Sequence, residues 1–237
     1  MNKKVVAVIS GGPDSIGYAA QWFKRGYRVY PIIFYYSQKG AKEVSVAKEL
    51  CVKLGFEDPL VLDISFMKFI WKKTQLVDES IDVEKEYMSS VVVPIRNAVF
   101  LTIAAAYAFS IGAQYVIYGA HLDDNSPLDK HEVLSTKDLW QPRYPDCSPE
   151  FQLVLETALN IGHFRSSRSI QIWSPAREGL TKVENLRRSY EIMGDLIFET
   201  WSCYLSFEHH CGRCESCLNR KKAFREAGIL DKTKYMV

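Results

Sequence analysis

Charge of one sign is what this chain has least to spare: 30 Lys+Arg stand against 28 Asp+Glu, a formal net charge of +2 over 237 residues. That balance gives no electrostatic footprint for a dedicated nucleic-acid binder and leaves room only for a local RNA-contacting patch. Long apolar runs are also missing. The apolar stretch between Met1-Asn2-Lys3-Lys4 and Gly11-Gly12 is too short for a secretory signal, and no later run approaches a membrane span. A cytosolic protein is expected. Internal repeats and low-complexity segments are absent. Neither G-x-x-x-x-G-K-[ST] nor G-x-G-x-x-G occurs, so two familiar glycine-rich phosphate turns are excluded.

What is present is an alternation. Apolar runs of strand length fall at Val5–Ile9, Val29–Phe34, Leu60–Ile64, Tyr115–Tyr118 and Ile170–Trp173, separated by segments of helical period. The pattern predicts an α/β fold, doubly wound, with a mainly parallel five-stranded sheet. Ala41–Leu54 places Val44, Ala47, Leu50 and Leu54 on one helical face, and Asn97–Gly112 is Ala-rich with Gly112 as its C-cap. Thr181 opens a capping box with Glu184, and Val183, Leu186, Tyr190, Met193 and Ile197 follow at helical spacing, a face expected to pack on the sheet. The stretch from Asn125 to Cys147 has no sustained period and reads as a long loop. One medium domain, residues 1–199, with a small appendage, 200–237, fits this length.

Ligands of doubly wound sheets bind beyond the carboxyl ends of the strands. Ser10-Gly11-Gly12-Pro13-Asp14-Ser15 lies there, between the first strand and a helix. Two glycines allow a tight turn, and amides at a helix start attract an anion. The plain alternative is a Gly-Gly turn with Ser or Asp as helix cap. The S-G-G-x-D-S text resembles the pyrophosphate loop of enzymes that split ATP into AMP and pyrophosphate.

Four of the six cysteines, Cys203, Cys211, Cys214 and Cys217, form a C-x7-C-x2-C-x2-C array near the C-terminus. Clustered cysteines in a cytosolic protein bind metal or do redox chemistry more often than they form disulfides. Tetrahedral zinc in a closed, structural site is the first reading. An iron–sulfur cluster, a redox-active Cys-x-x-Cys, and replacement of one thiolate by His209 or His210 stay open.

Taken with the loop, Trp201-Ser202-Cys203-Tyr204 and Cys211-Gly212-Arg213-Cys214-Glu215-Ser216-Cys217-Leu218-Asn219-Arg220 closely resemble the 7-cyano-7-deazaguanine synthases. Further matches are Phe34-x-Tyr36-x-Gln38 with Glu43 downstream, Val93-Pro94-x-Arg96-Asn97, and Tyr144-Pro145-Asp146-Cys147-x-Pro149-Glu150-Phe151. The resemblance covers nearly the whole chain. It implies a ligase of the PP-loop class, with a HUP-like fold, working in queuosine or archaeosine formation. ATP adenylylates the carboxylate of 7-carboxy-7-deazaguanine, ammonia displaces AMP to give an amide, and a second activation gives the nitrile. It also implies zinc on Cys203, Cys211, Cys214 and Cys217, magnesium with ATP, a homodimer, and no direct nucleic-acid partner.

By the same resemblance, Ser10, Gly11, Gly12, Pro13, Asp14, Ser15 and Ile16 bind ATP, with Asp14 holding magnesium. Asp14, Ser15 and Lys182 serve catalysis. Tyr36, Gln38, Arg96, Asn97, Asp146 and Glu150 bind the substrate, Asp146 and Glu150 by accepting hydrogen bonds from its amino and ring N–H groups. His121 ranks behind these. Departures gather near the expected pocket: Ser37, Lys39 and Gly40 replace residues usually Gly, Arg and His, Ile95 stands at a usual Gly, and an extra run, Ser126 to Arg143, precedes the Pro-Asp-Cys text. Two rivals remain. One is another PP-loop ligase or a tRNA-thiolating enzyme, which needs a cysteine such as Cys147 near ATP. The other is a non-enzymatic zinc-stapled nucleotide-binding module, which has no need for Asp14 or Lys182.

Overall fold

Strand β1 (Lys4–Val8) sends alternate side chains into two different cores. Val6 joins Ile32, Phe34, Val116 and Ile172 on one face, while Val5 and Ala7 join Val29, Ile33 and Ile117 on the other. Burial on both faces marks a parallel sheet covered by helices, which is why these strands read as continuous apolar runs. The computed structural model describes residues 3–87, 89–126, 143–163 and 169–237. In it β1 is followed by β2 (Arg28–Tyr35), β3 (Leu60–Asp63), β4 (Tyr115–Ile117) and β5 (Gln171–Trp173), all paired in parallel in the order β3-β2-β1-β4-β5. Each lies within a residue of its expected position.

Helices α1 (Pro13–Lys24) and α2 (Lys42–Lys53) cover the Val5 face, and α3 (Arg96–Ile111) and α4 (Pro149–Gly162) the Val6 face. Leu101, Ala104, Ala105 and Ala108 let α3 sit close on β1 and β4, and Gly112, at φ 69°, ends it as expected. By length and composition Ser89–Ile111 is apolar enough to cross a membrane, with a mean hydropathy of 1.7, which corrects the expectation that no run approaches a span. Here α3 is a core helix of the sheet.

Helix α5 (Lys182–Met193) begins with the expected capping box: Thr181 Oγ1 accepts from Glu184 N–H, and the Glu184 carboxylate accepts from Thr181 N–H at 2.8 Å. It stops at Gly194, and a 3-10 turn, Gly194–Glu199, carries Ile197. The closest partners of α5 are α1 and α6 (Glu215–Ala227), not the strands, because α1 already occupies the sheet at this point. The crossing is tight. A Cβ on Gly17 of α1 would lie 2.1 Å from Ser189 Oγ, and the Gln21 amide donates to Asn185 Oδ1 and Ser189 Oγ across it. Ala223, Phe224 and Ala227 of α6 complete the same apolar cluster. The expected long loop is described only at its ends, with 3-10 turns at Leu122–Asn125 and Pro145–Cys147; residues 127–142 lie outside the described residues.

Candidate active site

Strand order reverses between β1 and β4, and in doubly wound sheets the crevice at such a reversal holds the ligand. A cavity of about 600 Å³ opens there, within the usual range of ~300–1,000 Å³ for ligand pockets. Ser10, Gly12, Pro13, Asp14 and Ser15 line one end of it. Gly12 is the N-cap of α1 and supplies no side-chain acceptor, so the first turn of α1 begins at the cavity without a side-chain cap, the kind of helix start that suits an anion. Ser15 Oγ accepts from Ser10 N–H at 3.1 Å and stands 3.0 Å from Ser10 Oγ, which closes the loop on itself.

Two backbone approaches shape this loop and explain its glycines. Gly11 sits at φ 80°, and a Cβ there would fall 2.6 Å from the Glu43 carbonyl oxygen. A Cβ on Gly119, after β4, would fall 2.6 Å from Ser15 N. Only glycine accepts the first conformation without strain, and only a missing side chain allows the second.

At the start of α5, Lys182 Nζ donates to Asp14 Oδ2 at 2.7 Å and lies 3.3 Å from His121 Nε2. Burial works against the Asp14 charge, yet Lys182 and His121 outweigh it and hold the carboxyl below its ordinary value. Burial likewise opposes the Lys182 charge, and Asp14 more than offsets it, raising its pKa. Asp14 Oδ1 is buried with no hydrogen-bond partner. An orphaned, ionised oxygen beside a phosphate-type loop suits a hard cation such as magnesium. Asp124, whose carboxyl burial pushes up, accepts from His121 N–H at 2.9 Å, and Asp123 accepts from Lys182 N–H.

The other end of the cavity gathers most of the expected substrate residues. Arg96 Nη1 donates to Tyr36 Oη at 3.0 Å, Asp146 Oδ2 accepts from Asn97 N–H at 3.2 Å, and Asn97 Nδ2 points at Cys147 Sγ at 3.4 Å. Gln38 is committed elsewhere: Oε1 accepts from Tyr36 N–H, and Nε2 donates to the Phe34 carbonyl and to Glu43 Oε1. Its amide clamps the end of β2 to α2 and has no donor left for a ligand. Three expected residues are not part of the cavity lining, and the first, Gly11, is packed between the Glu43 carbonyl and the Trp201 N–H. Ile16 points into the core with its N–H bonded to Gly12 O, because the loop has become helix by that residue. Glu150 is exposed on the first turn of α4, where the Ser148 cap and Pro149 turn that position outward.

The four sulfurs of Cys203, Cys211, Cys214 and Cys217 are buried and within 4.8 Å of one another. Cys211 Sγ and Cys217 Sγ are 3.8 Å apart; a tetrahedral zinc at about 2.3 Å from each sulfur sets roughly that separation. Backbone N–H groups of Leu205 and Cys211 point at Cys203 Sγ, and that of Cys214 at Cys211 Sγ, which favours thiolates. His210 stands outside the cluster. Its Nε2 accepts from Ser202 N–H, its ring packs on Trp201, and burial pushes its pKa down to about 3. The knot also touches the loop directly, since Trp201 N–H donates to the Gly11 carbonyl at 2.8 Å.

Three residues with no assigned role in the sequence reading line the same cavity. Glu215, in the first turn of α6, accepts from Tyr204 Oη and Asn219 Nδ2 at 2.7 and 2.6 Å. Arg220 is 2% exposed and its guanidinium is held by Thr200, Ser202, Thr233 and the Ile197 carbonyl, with no ion pair among the described residues. A buried cation without a carboxylate biases the cavity toward anions. Glu43 is the third. The available signal was its fixed spacing after Gln38, which shows nothing of the cavity it enters.

A glycine-turned loop at a helix start beside a partly buried lysine–aspartate pair is the arrangement expected of the PP-loop ATP pyrophosphatases. Comparison with known proteins narrows the class. Residues 4–228 match the family described as "Queuosine biosynthesis protein QueC", and the chain belongs to that family. It is 35% identical over 240 residues to the 7-cyano-7-deazaguanine synthase of Psychromonas ingrahamii, covering 99% of both chains. It is 35% identical over 247 residues to that of Methanobrevibacter smithii, again covering 99% of both. Among solved structures, a 4-thiouridine synthetase in complex with RNA and ATP overlaps 95% of this chain and 50% of its own, at 16% identity and a TM-score of 0.44.

Proposed function

We propose that this chain is a ligase that converts 7-carboxy-7-deazaguanine and ammonia to 7-cyano-7-deazaguanine at the expense of ATP. The observation that carries it is a membership of the QueC family that extends over the whole site, loop, cavity and cysteine knot together. A carboxylate is a poor electrophile, and its conversion to an AMP ester gives ammonia a leaving group to displace. Negative charge on the departing pyrophosphate is the main electrostatic demand. The amides of the Ser10 to Ser15 loop and the Lys182 ammonium would meet it, and magnesium on Asp14 would neutralise the phosphates.

Arg96, Tyr36, Asn97 and Asp146 would hold the heterocycle at the far end, with Asp146 accepting from its N–H groups. The knot in residues 200–237, read as a zinc-bound subdomain, would fix Trp201 on the loop and carry Glu215 and Arg220 into the cavity. A homodimer in the cytosol, fed by free ammonium or by a partner's ammonia and making no direct nucleic-acid contact, completes the reading. The tRNA-thiolating alternative is disfavoured by Cys147, whose thiol burial pushes well above its ordinary value, away from the thiolate a sulfur carrier needs. The test is pyrophosphate release from ATP: it should depend on the added deazaguanine acid, and release indifferent to that acid would refute the assignment.

A further inference from the structure

Glu43 is a carboxylate in the cavity that the reaction described above leaves without a chemical role. It lies in the first turn of α2, and its own carbonyl abuts Gly11, so its side chain enters the cavity beside the phosphate loop. Gln38 Nε2 donates to Oε1 at 2.9 Å; among the described residues no other hydrogen bond and no ion pair reaches the carboxyl. Four of the other cavity carboxylates are tied to the phosphate loop, a turn, a helix start or the cysteine knot. Asp14 holds Lys182, Asp124 its own turn, Asp146 the start of α3, and Glu215 both Tyr204 and Asn219.

We propose that Glu43 captures ammonium beside the activated acid and serves as the general base that frees the ammonia nucleophile. The proposal rests on the reading of this cavity as an acid-activating ligase. Ammonium has no lone pair and cannot attack; at neutral pH nearly all ammonia is in that form. One N–H proton passes to the Glu43 carboxylate. The freed lone pair forms the C–N bond to the acyl carbon while the C–O bond to AMP breaks, and AMP leaves with the electron pair. The second proton shed by the new amide nitrogen goes to water.

Burial pushes the Glu43 carboxyl up to about 7, which makes it a stronger base than an exposed carboxylate. The charged or titratable groups facing it are Arg96 from α3, which works against that rise, and Tyr36, the residue after β2. Gln38 positions the carboxyl through the clamp described above.

The test compares wild type and Glu43→Gln with two nucleophiles. Hydroxylamine is already unprotonated at neutral pH and needs no base to free it. In the variant, acid-dependent exchange of pyrophosphate into ATP and hydroxamate formation from hydroxylamine should stay near wild type. Amide formation from ammonium should fall by about 10²–10⁴-fold, and its rate should lose the limb that rises through pH ~7 in wild type. Glu43→Asp should recover part of the ammonium rate. Equal losses with both nucleophiles, loss of exchange, or an unchanged ammonium rate would each overturn the proposal. Failure of exchange in the wild type would count against the ligase reading itself, a result separate from any difference between variant and wild type.

Discussion

Lys182 Nζ and Asp14 Oδ2, 168 residues apart in the chain, meet at 2.7 Å over the start of α1. The pair does two things at once. It favours the ionised form of Asp14 in a buried place, and it leaves the second carboxylate oxygen of Asp14 buried without a hydrogen-bond partner.

Lys182→Met should therefore lower AMP release by about 10²–10³-fold, the cost of removing one donor from a developing anion. Asp14→Asn should abolish it, since a neutral amide is a poor magnesium ligand. Metal content measured on both variants should match wild type, because the cysteine knot does not involve either residue. AMP release close to wild type in Asp14→Asn would refute the role given to the loop.

Removing the metal should reach the ATP site through one hydrogen bond. Cys217→Ser, or chelation of the wild type, should release one zinc per chain, detectable by elemental analysis. The freed knot would no longer hold Trp201 on the Gly11 carbonyl, so ATP affinity should fall along with a change in tryptophan fluorescence. Unchanged ATP binding by the metal-free protein would show that the two sites are independent.

Stability should carry a signature of Glu43. Its carboxyl titrates near 7 when folded and near 4.5 in its unperturbed state, so between those values the native protein binds more protons than the unfolded chain. Stability from this group is complete below about 4.5 and is lost as pH rises toward 7. Thermal melts of wild type and Glu43→Gln should show the variant gaining on wild type across that window. A difference that stays constant with pH would contradict the buried, uncompensated placement.

Ile95 and Ser37 stand where the family resemblance led to an expectation of glycine, and both keep a left-handed backbone, at φ 48° and φ 62°. A β-branched residue there costs about 1–2 kcal/mol, partly offset by the entropy glycine loses on folding. Ile95 is 68% exposed, so its removal forfeits little burial. Ile95→Gly should raise the melting temperature by about 2–4 °C, the shift that ~1 kcal/mol produces in a chain of this size. A lower melting temperature would mean the Ile95 side chain has a partner worth more than the strain.

The sheet was legible because its signal is local: Val5 to Ile9 and its counterparts are short apolar runs separated by segments of helical period. The cysteine knot was legible for the same reason. Reading failed where a residue's role depends on a distant segment. Gln38 looked like a ligand contact, but Phe34, Tyr36 and Glu43 take its whole amide. Ile16 belongs to the loop in sequence and to the α1 core in space. Helix α5 was expected on the sheet, and only the closeness allowed by Gly17 shows that α1 stands between them. Glu43 was named among the family matches but given no role, because its place in the cavity, with its backbone against Gly11, depends on how α2 packs on the loop.

The most direct measurement is product analysis by mass spectrometry after incubating the purified protein with ATP, magnesium, ammonium and 7-carboxy-7-deazaguanine. The account predicts the amide as an early product, the nitrile after it, and two AMP released for each nitrile formed. AMP release without amide or nitrile, from protein that retains its zinc, would contradict it.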